Sequence, residues 1–220
     1  MMNIAPPEKV IRVLLADDHP VVRDGCRNLL ESTPDIRVVA EVGDSSSLFA
    51  AYAEFSPDVV VLDLNMPEIG GIEVIRRLRR RDDKARVLVF SMYDGDVMIQ
   101  RALEAGALGY LIKHSQMSQM LLAVREIANG KPYIDAAKVM NIAAAGLKQE
   151  TGPLDCLTAR EYQVFTLLAE GKTVSQIAVM LSISPKTAGV HHASIMNKLE
   201  LSNGAQLVRL AVRLGIVMDV

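Results

Sequence analysis

Three aspartates, one serine and one lysine each stand directly after a short apolar run. Asp17 and Asp18 follow Val10–Ala16, Asp63 follows Asp58–Leu62, Ser91 follows Arg86–Phe90 and Lys113 follows Gly109–Ile112. Any one of these acids reads as an ordinary helix cap, since a short carboxylate at a helix start accepts from free backbone N–H groups; Asp44 and Asp94 are read that way. The set reads differently. Three carboxylates at one spot repel each other and are expensive to bury, so they call for a cation. Mg²⁺ suits them, because a hard ion takes oxygen ligands and keeps places for water and phosphate oxygens. A hydroxyl (Ser91) and an amine (Lys113) beside such an ion are donors for a phosphate group.

Convergence depends on the elements that carry these residues. The apolar runs Val10–Ala16, Ile36–Val42, Asp58–Leu62, Arg86–Phe90 and Gly109–Ile112 are nearly continuous rather than alternating, as in parallel strands covered by helices on both faces. Between them lie polar turns and stretches of helical spacing, with helix starts at Asp44-Ser45, Asp94-Gly95 and Ser115. This alternation predicts an α/β fold, a doubly wound five-stranded parallel sheet of flavodoxin-like order 2-1-3-4-5. In that order strands 1 and 3 flank the point where the winding reverses, and ligands bind there, beyond the carboxyl ends.

After Gly130 the strand signals stop. Residues 131–154 mix Pro132, Gly146, Gly152 and Pro153 with an alanine-rich patch and read as a linker between a first domain, 1–130, and a second, 155–220. In the second every start signal is helical. Thr158-x-x-Glu161 and Thr173-x-x-Gln176 are capping boxes, Ser184-Pro185 is an N-cap with proline at the first helical position, and Asn203-x-x-Gln206 opens a fourth helix. Gly171 marks a helix end.

Composition excludes other classes. Half of the 220 residues are hydrophobic and 23% are charged, which suits a globular core. No apolar stretch approaches the ~20 residues of a membrane span, and residues 1–9 lack a signal-peptide pattern, so no membrane partner and a cytoplasmic location are expected. Cys26 and Cys156 suggest neither a disulfide framework nor a zinc site. A net charge of −2 leaves any nucleic-acid contact to a local surface.

Four segments together carry a resemblance: Leu14-Leu15-Ala16-Asp17-Asp18-His19, Val59 to Gly71 around Leu62-Asp63-Leu64-Asn65-Met66-Pro67, Val89-Phe90-Ser91-Met92 and Gly109-Tyr110-Leu111-Ile112-Lys113. The first domain resembles the receivers of two-component response regulators, and the chain as a whole resembles the NarL/FixJ subfamily. The resemblance implies that Asp63 accepts a phosphoryl group from a sensor histidine kinase. It implies that Asp18, Asp63 and the main-chain carbonyl of Asn65 bind Mg²⁺ while Asp17 holds a metal-bound water, and that Ser91 and Tyr110 form the switch. Ser91 would move toward the phosphate and Tyr110 would rotate into the space it leaves. Where receivers often carry proline after the lysine this chain has His114, which leaves the Lys113–His114 bond open between cis and trans.

Leu157-Thr158-Ala159-Arg160-Glu161, Gly171 to Ala178 and Ser184 to His191 resemble the LuxR-type helix-turn-helix. Its third helix would place Lys186, Thr187, Val190, His191, Ser194 and Lys198 toward double-stranded promoter DNA, entering the major groove by its N-terminal half. Ile177, Ala178, Leu181, Ile195 and Leu199 would pack inward. From Thr151 to Val220 there are six basic and five acidic residues, a net of +1, so one copy should hold DNA weakly and a homodimer on paired half-sites is implied. Ala188, Gly189 and Ala193 occupy places where relatives often carry base-reading residues. An adaptor with weak or lost DNA binding is therefore the alternative. An enzymatic rival, a phosphohydrolase of the haloacid-dehalogenase type, needs a second aspartate two residues after its nucleophile, and Asn65 stands there instead.

Overall fold

In the computed structural model, residues 10–66, 69–93, 95–114, 116, 118–134, 153–154, 156–181, 183–214 and 216–217 are described. The chain divides into two compact units, Met1–Lys148 and Gln149–Val220.

The first unit alternates strictly: β1 (Ile11–Ala16), α1 (Pro20–Leu30), β2 (Ile36–Val42), α2 (Ser45–Phe55), β3 (Val59–Leu62), α3 (Gly71–Arg81), β4 (Val87–Ser91), α4 (Asp96–Glu104), β5 (Gly109–Ile112) and α5 (Ser118–Ala128). The five strands form one parallel sheet in the order β2-β1-β3-β4-β5, as the sequence pattern predicts. Every residue of β3 and β4 is buried, which is why these runs carry no polar alternation. Val13, Leu15, Val61, Leu88 and Leu111 pack with Met120, Val124 and Ile127 of α5 in one core cluster.

The element edges depart from the sequence pattern in informative ways. Ser91 is the last residue of β4 rather than the first beyond it, while Val10, Asp58 and Arg86 lie just outside their strands. Asp58 instead accepts a hydrogen bond from the Arg12 N–H at 3.0 Å. Asp44 caps α2 as expected, accepting from the Ser47 N–H at 2.8 Å. The cap of α4 is Gly95, and α5 starts at Ser118; Asp94 and Ser115 lie outside the described residues. Tyr133 returns to the edge of the sheet, its carbonyl accepting from the Tyr110 N–H at 2.9 Å. Both cysteines are free thiols, and no cis peptide is present among the described residues, so Lys113–His114 is trans.

α3 begins at a glycine because nothing larger fits. A Cβ on Gly71 would lie 2.6 Å from Leu64 Cα and 2.8 Å from the Asp63 carbonyl oxygen, both backbone atoms that cannot swing aside. Gly71→Ala is therefore expected to destabilise the first unit by about 1–3 kcal/mol through overpacking, and to displace the Asp63 loop. Denaturant unfolding measures the first effect.

Among its described residues the second unit holds four helices: α6 (Ala159–Ala169), α7 (Val174–Met180), α8 (Pro185–Lys198) and α9 (Gly204–Arg213). Both predicted capping boxes are complete, and Ser184 and Asn203 cap α8 and α9 through the Thr187 and Gln206 N–H groups. Gly171 ends α6 in the left-handed region (φ +80), its N–H bonding the Leu168 carbonyl while the Lys172 N–H bonds that of Leu167. Phe165, Ile177, Ile195 and Leu207 are buried, one from each helix. No helix among the described residues is long and apolar enough to cross a membrane.

Candidate functional site

Register brings the acids together. Ala16 pairs with Leu62, and the next residues continue that neighbourhood: the Asp63 N–H bonds the Ala16 carbonyl at 2.8 Å, and the Asp17 N–H bonds that of Val42 at 3.1 Å. Asp17 and Asp63 thus leave adjacent strands side by side, 5% and 2% exposed. On the far side Ser91 pairs with Ile112, and the Lys113 N–H bonds the Ser91 carbonyl at 2.8 Å.

The Lys113 ammonium closes the pocket. Its Nζ lies 2.5 Å from Asp17 Oδ2 and 2.8 Å from Asp63 Oδ2, with the side chain 8% exposed. Burial pushes the Asp63 carboxyl above the usual carboxylate range; Lys113 opposes that and Asp17 adds to it. For Lys113 burial works against the charge, but Asp63 and Asp17 outweigh it and hold the amine above its ordinary value. A buried lysine flanked by two carboxylates keeps its proton.

Asp18 completes the trio from the solvent side. Ligand atoms of Asp17, Asp18, His19 and Asp63 all lie within 4.8 Å of one another. His19 Nδ1 sits 2.7 Å from Asp18 Oδ1 and 3.2 Å from Asp17 Oδ1. The three carboxylates supply the hard oxygen donors that Mg²⁺ takes, and among the described residues no arginine pairs with them: the Arg23 guanidinium bonds the Asp17 backbone carbonyl instead. His19 is a member of this cluster that sequence reasoning missed, although it directly follows the two aspartates.

Ser91 is fully buried, but among the described residues no hydrogen bond joins it to Asp63. Its Oγ accepts from the Tyr93 N–H at 3.4 Å. Tyr93 links three expected site residues: besides Ser91, its hydroxyl donates to Asn65 Oδ1 at 2.7 Å and its carbonyl accepts from the Tyr110 hydroxyl at 2.8 Å. Tyr110 is buried, 4% exposed. Tyr93 carries no motif signal; only the folded loop brings it to Asn65.

In the second unit, Lys186, Thr187 and Val190 stand exposed on α8 and His191 is half-buried. Burial holds the His191 imidazole below its usual value, and the Arg160 guanidinium adds to the effect. Two of the expected outward residues also make a contact within the unit. Ser194 Oγ donates to Glu161 Oε1 and Lys198 Nζ lies against Glu161 Oε2, both at 2.6 Å. Glu161 is the acid of the α6 capping box, 5% exposed, so α8 is pinned to the start of α6 by the side chains the spacing assigns to DNA. Ala188 is 1% exposed and belongs to the core, not to the reading face. Ile177, Ala178 and Ile195 are buried as predicted, with Leu181 and Leu199 partly so; Ser182 lies outside the described residues.

Comparison with known proteins matches both units. Residues 13–125 fit the model of the response regulator receiver domain, and residues 155–211 that of the bacterial regulatory proteins of the luxR family. The response regulator GacA of Pseudomonas aeruginosa is 33% identical over 94% of this chain and 98% of its own. The transcriptional regulatory protein LiaR of Bacillus subtilis is 36% identical over 90% and 94%. A solved structure of two RcsB dimers bound to two parallel DNAs is 27% identical, covers 96% of this chain and all of that chain, and superposes with a TM-score of 0.60.

Proposed function

The chain belongs to the NarL/FixJ family of two-component response regulators, a receiver joined to a LuxR-type helix-turn-helix, and on that premise we propose that Asp63 accepts a phosphoryl group from a sensor histidine kinase to control binding of promoter DNA. In this reading residues 1–130 form the receiver, 131–154 the linker and 155–220 the DNA-reading domain, in a cytoplasmic protein. The observation that carries it is the Lys113 ammonium held between the buried Asp17 and Asp63 carboxylates.

The chemistry follows from that arrangement. A carboxylate oxygen of Asp63 attacks phosphorus; the new O–P bond forms as the bond to the donor imidazole nitrogen breaks. Lys113 opposes the burial that disfavours the ionised attacking group, and afterwards faces the phosphoryl oxygens, where transfer needs positioning and charge neutralisation more than covalent help. Asp17, Asp18, Asp63 and the Asn65 carbonyl are the groups that would hold Mg²⁺, which when bound adds positive charge against the same oxygens. The Ser91 hydroxyl donates to the phosphate. Drawing Ser91 away from the Tyr93 N–H disturbs the segment that anchors the Tyr110 hydroxyl, and so couples the acceptor to the surface beside β5. Nothing in this cycle turns over a substrate, so the chain is a switch rather than an enzyme.

Lys186, Thr187, Val190 and His191 face DNA in the major groove. With a net charge of only +1, the second domain needs two copies on paired half-sites, as a homodimer. RcsB, a relative in fold, is found as dimers on DNA. Lys186→Ala should weaken binding across sequences and lower the salt-dependence slope by about 1, with Asp63 labelling unchanged. Fluorescence anisotropy on promoter DNA upstream of neighbouring genes, with and without acetyl phosphate, measures the binding, and intact-mass spectrometry the labelling. The adaptor alternative gains support from the commitment of Ser194 and Lys198 to Glu161; it predicts no shift of DNA under either condition.

A further inference from the structure

Positive charge in this chain is gathered in the first unit, on an element other than the helix that would read DNA. Seven of its 24 lysines and arginines fall between Arg76 and Arg86, on α3 and the turn after it, against Asp82 and Asp83 alone. Some have internal work. Arg77 pairs with Glu73 at 2.9 Å, the Arg79 guanidinium bonds the Asp83 and Ala85 carbonyls, and Arg81 lies over the Phe49 ring at 4.7 Å. Cations in the last turn also complement the helix dipole.

Arg76, Arg80 and Lys84 are different. All three are exposed, and among the described residues none makes an ion pair or a side-chain hydrogen bond. Arg76 and Arg80 stand one turn apart on the same face, a like-charge pairing that weakens a helix. Arg76 also lies too far from the helix end for the dipole to favour it. Such a face is fitted to an external polyanion, and guanidinium groups match phosphate geometry well.

We propose that Arg76, Arg80 and Lys84 form an auxiliary phosphate-binding surface that adds sequence-independent contacts to DNA. The surface has this role only if the second domain binds DNA, as proposed above. It answers a deficit in that domain, which nets +1 and has Lys198 held by Glu161, whereas affinity grows with the number of phosphates neutralised.

The test is the salt dependence of full-length protein binding to a fluorescent duplex without a specific site. Arg76→Gln/Arg80→Gln/Lys84→Gln should lower the slope by about 2.7, or roughly 0.9 for each phosphate no longer neutralised. Arg80→Gln alone should lower it by about 0.9, which keeps the test open should the triple variant fold poorly. An unchanged slope in Arg80→Gln and in the folded triple variant overturns the surface; if Lys186→Ala still lowers it, the reading of the second domain survives. Wild-type protein that is labelled on Asp63 yet binds no duplex overturns both. An unchanged DNA slope with loss of binding to phosphatidylserine vesicles also overturns it, reassigning the surface to membrane.

Discussion

Asp63→Asn protein is expected to take up no phosphoryl group from acetyl phosphate, while the wild-type chain should be labelled to about one group per chain. Asparagine keeps the shape but has no anionic oxygen to attack phosphorus, and Lys113 retains Asp17 as its partner at 2.5 Å. The substitution should not unfold the protein. Burial raises the Asp63 carboxyl, so ionising it works against the folded state, and a neutral group of the same size removes both that penalty and repulsion from Asp17. A thermal midpoint equal to or above the wild type, together with complete loss of label, separates a lost acceptor from a lost fold. Retained label would place the acceptor elsewhere.

Glu161→Ala has the second large effect, on the DNA-reading domain. One carboxylate accepts from Ser194, Lys198 and the Thr158 N–H, so its removal strips a helix cap and strands partly buried donors. Together these cost about 2–4 kcal/mol, or roughly 30- to 800-fold faster amide exchange in α6 and α8, read by mass spectrometry. The pH dependence has a defined sign. Burial would raise the Glu161 carboxyl, but hydrogen bonds from Lys198, Ser194 and Thr158 overcome it and lower it to about 2. A depressed acid stabilises the fold fully above its unfolded value of about 4.5. The protection of α6 and α8 should therefore fall as pH drops from 4.5 toward 2, and Glu161→Gln should abolish that dependence.

The acidic site is readable from the chain because strand ends are local. Once Val59–Leu62 and Ile11–Ala16 read as neighbouring buried strands, Asp63 and Asp17 have to emerge side by side, and capping boxes at Thr158 and Thr173 announce α6 and α7 within four residues each. What the chain hides depends on long-range contacts. Ser194 and Lys198 lie at outward-looking positions of α8, and only the fold, across 33 and 37 residues, shows Glu161 beneath them. Tyr93 gives no periodic signal, and its hydroxyl finds Asn65 across 28 residues. α3 begins without a polar cap, at Gly70-Gly71, so its start is silent.

The most direct measurement is peptide mapping of the full-length protein after treatment with acetyl phosphate, with Mg²⁺ present or removed by a chelator. A single phosphoryl group is expected on the peptide containing Asp63, formed only when Mg²⁺ is present. A group on any other residue, or equal labelling after chelation, would contradict an acceptor built from Asp63, its neighbouring carboxylates and Lys113.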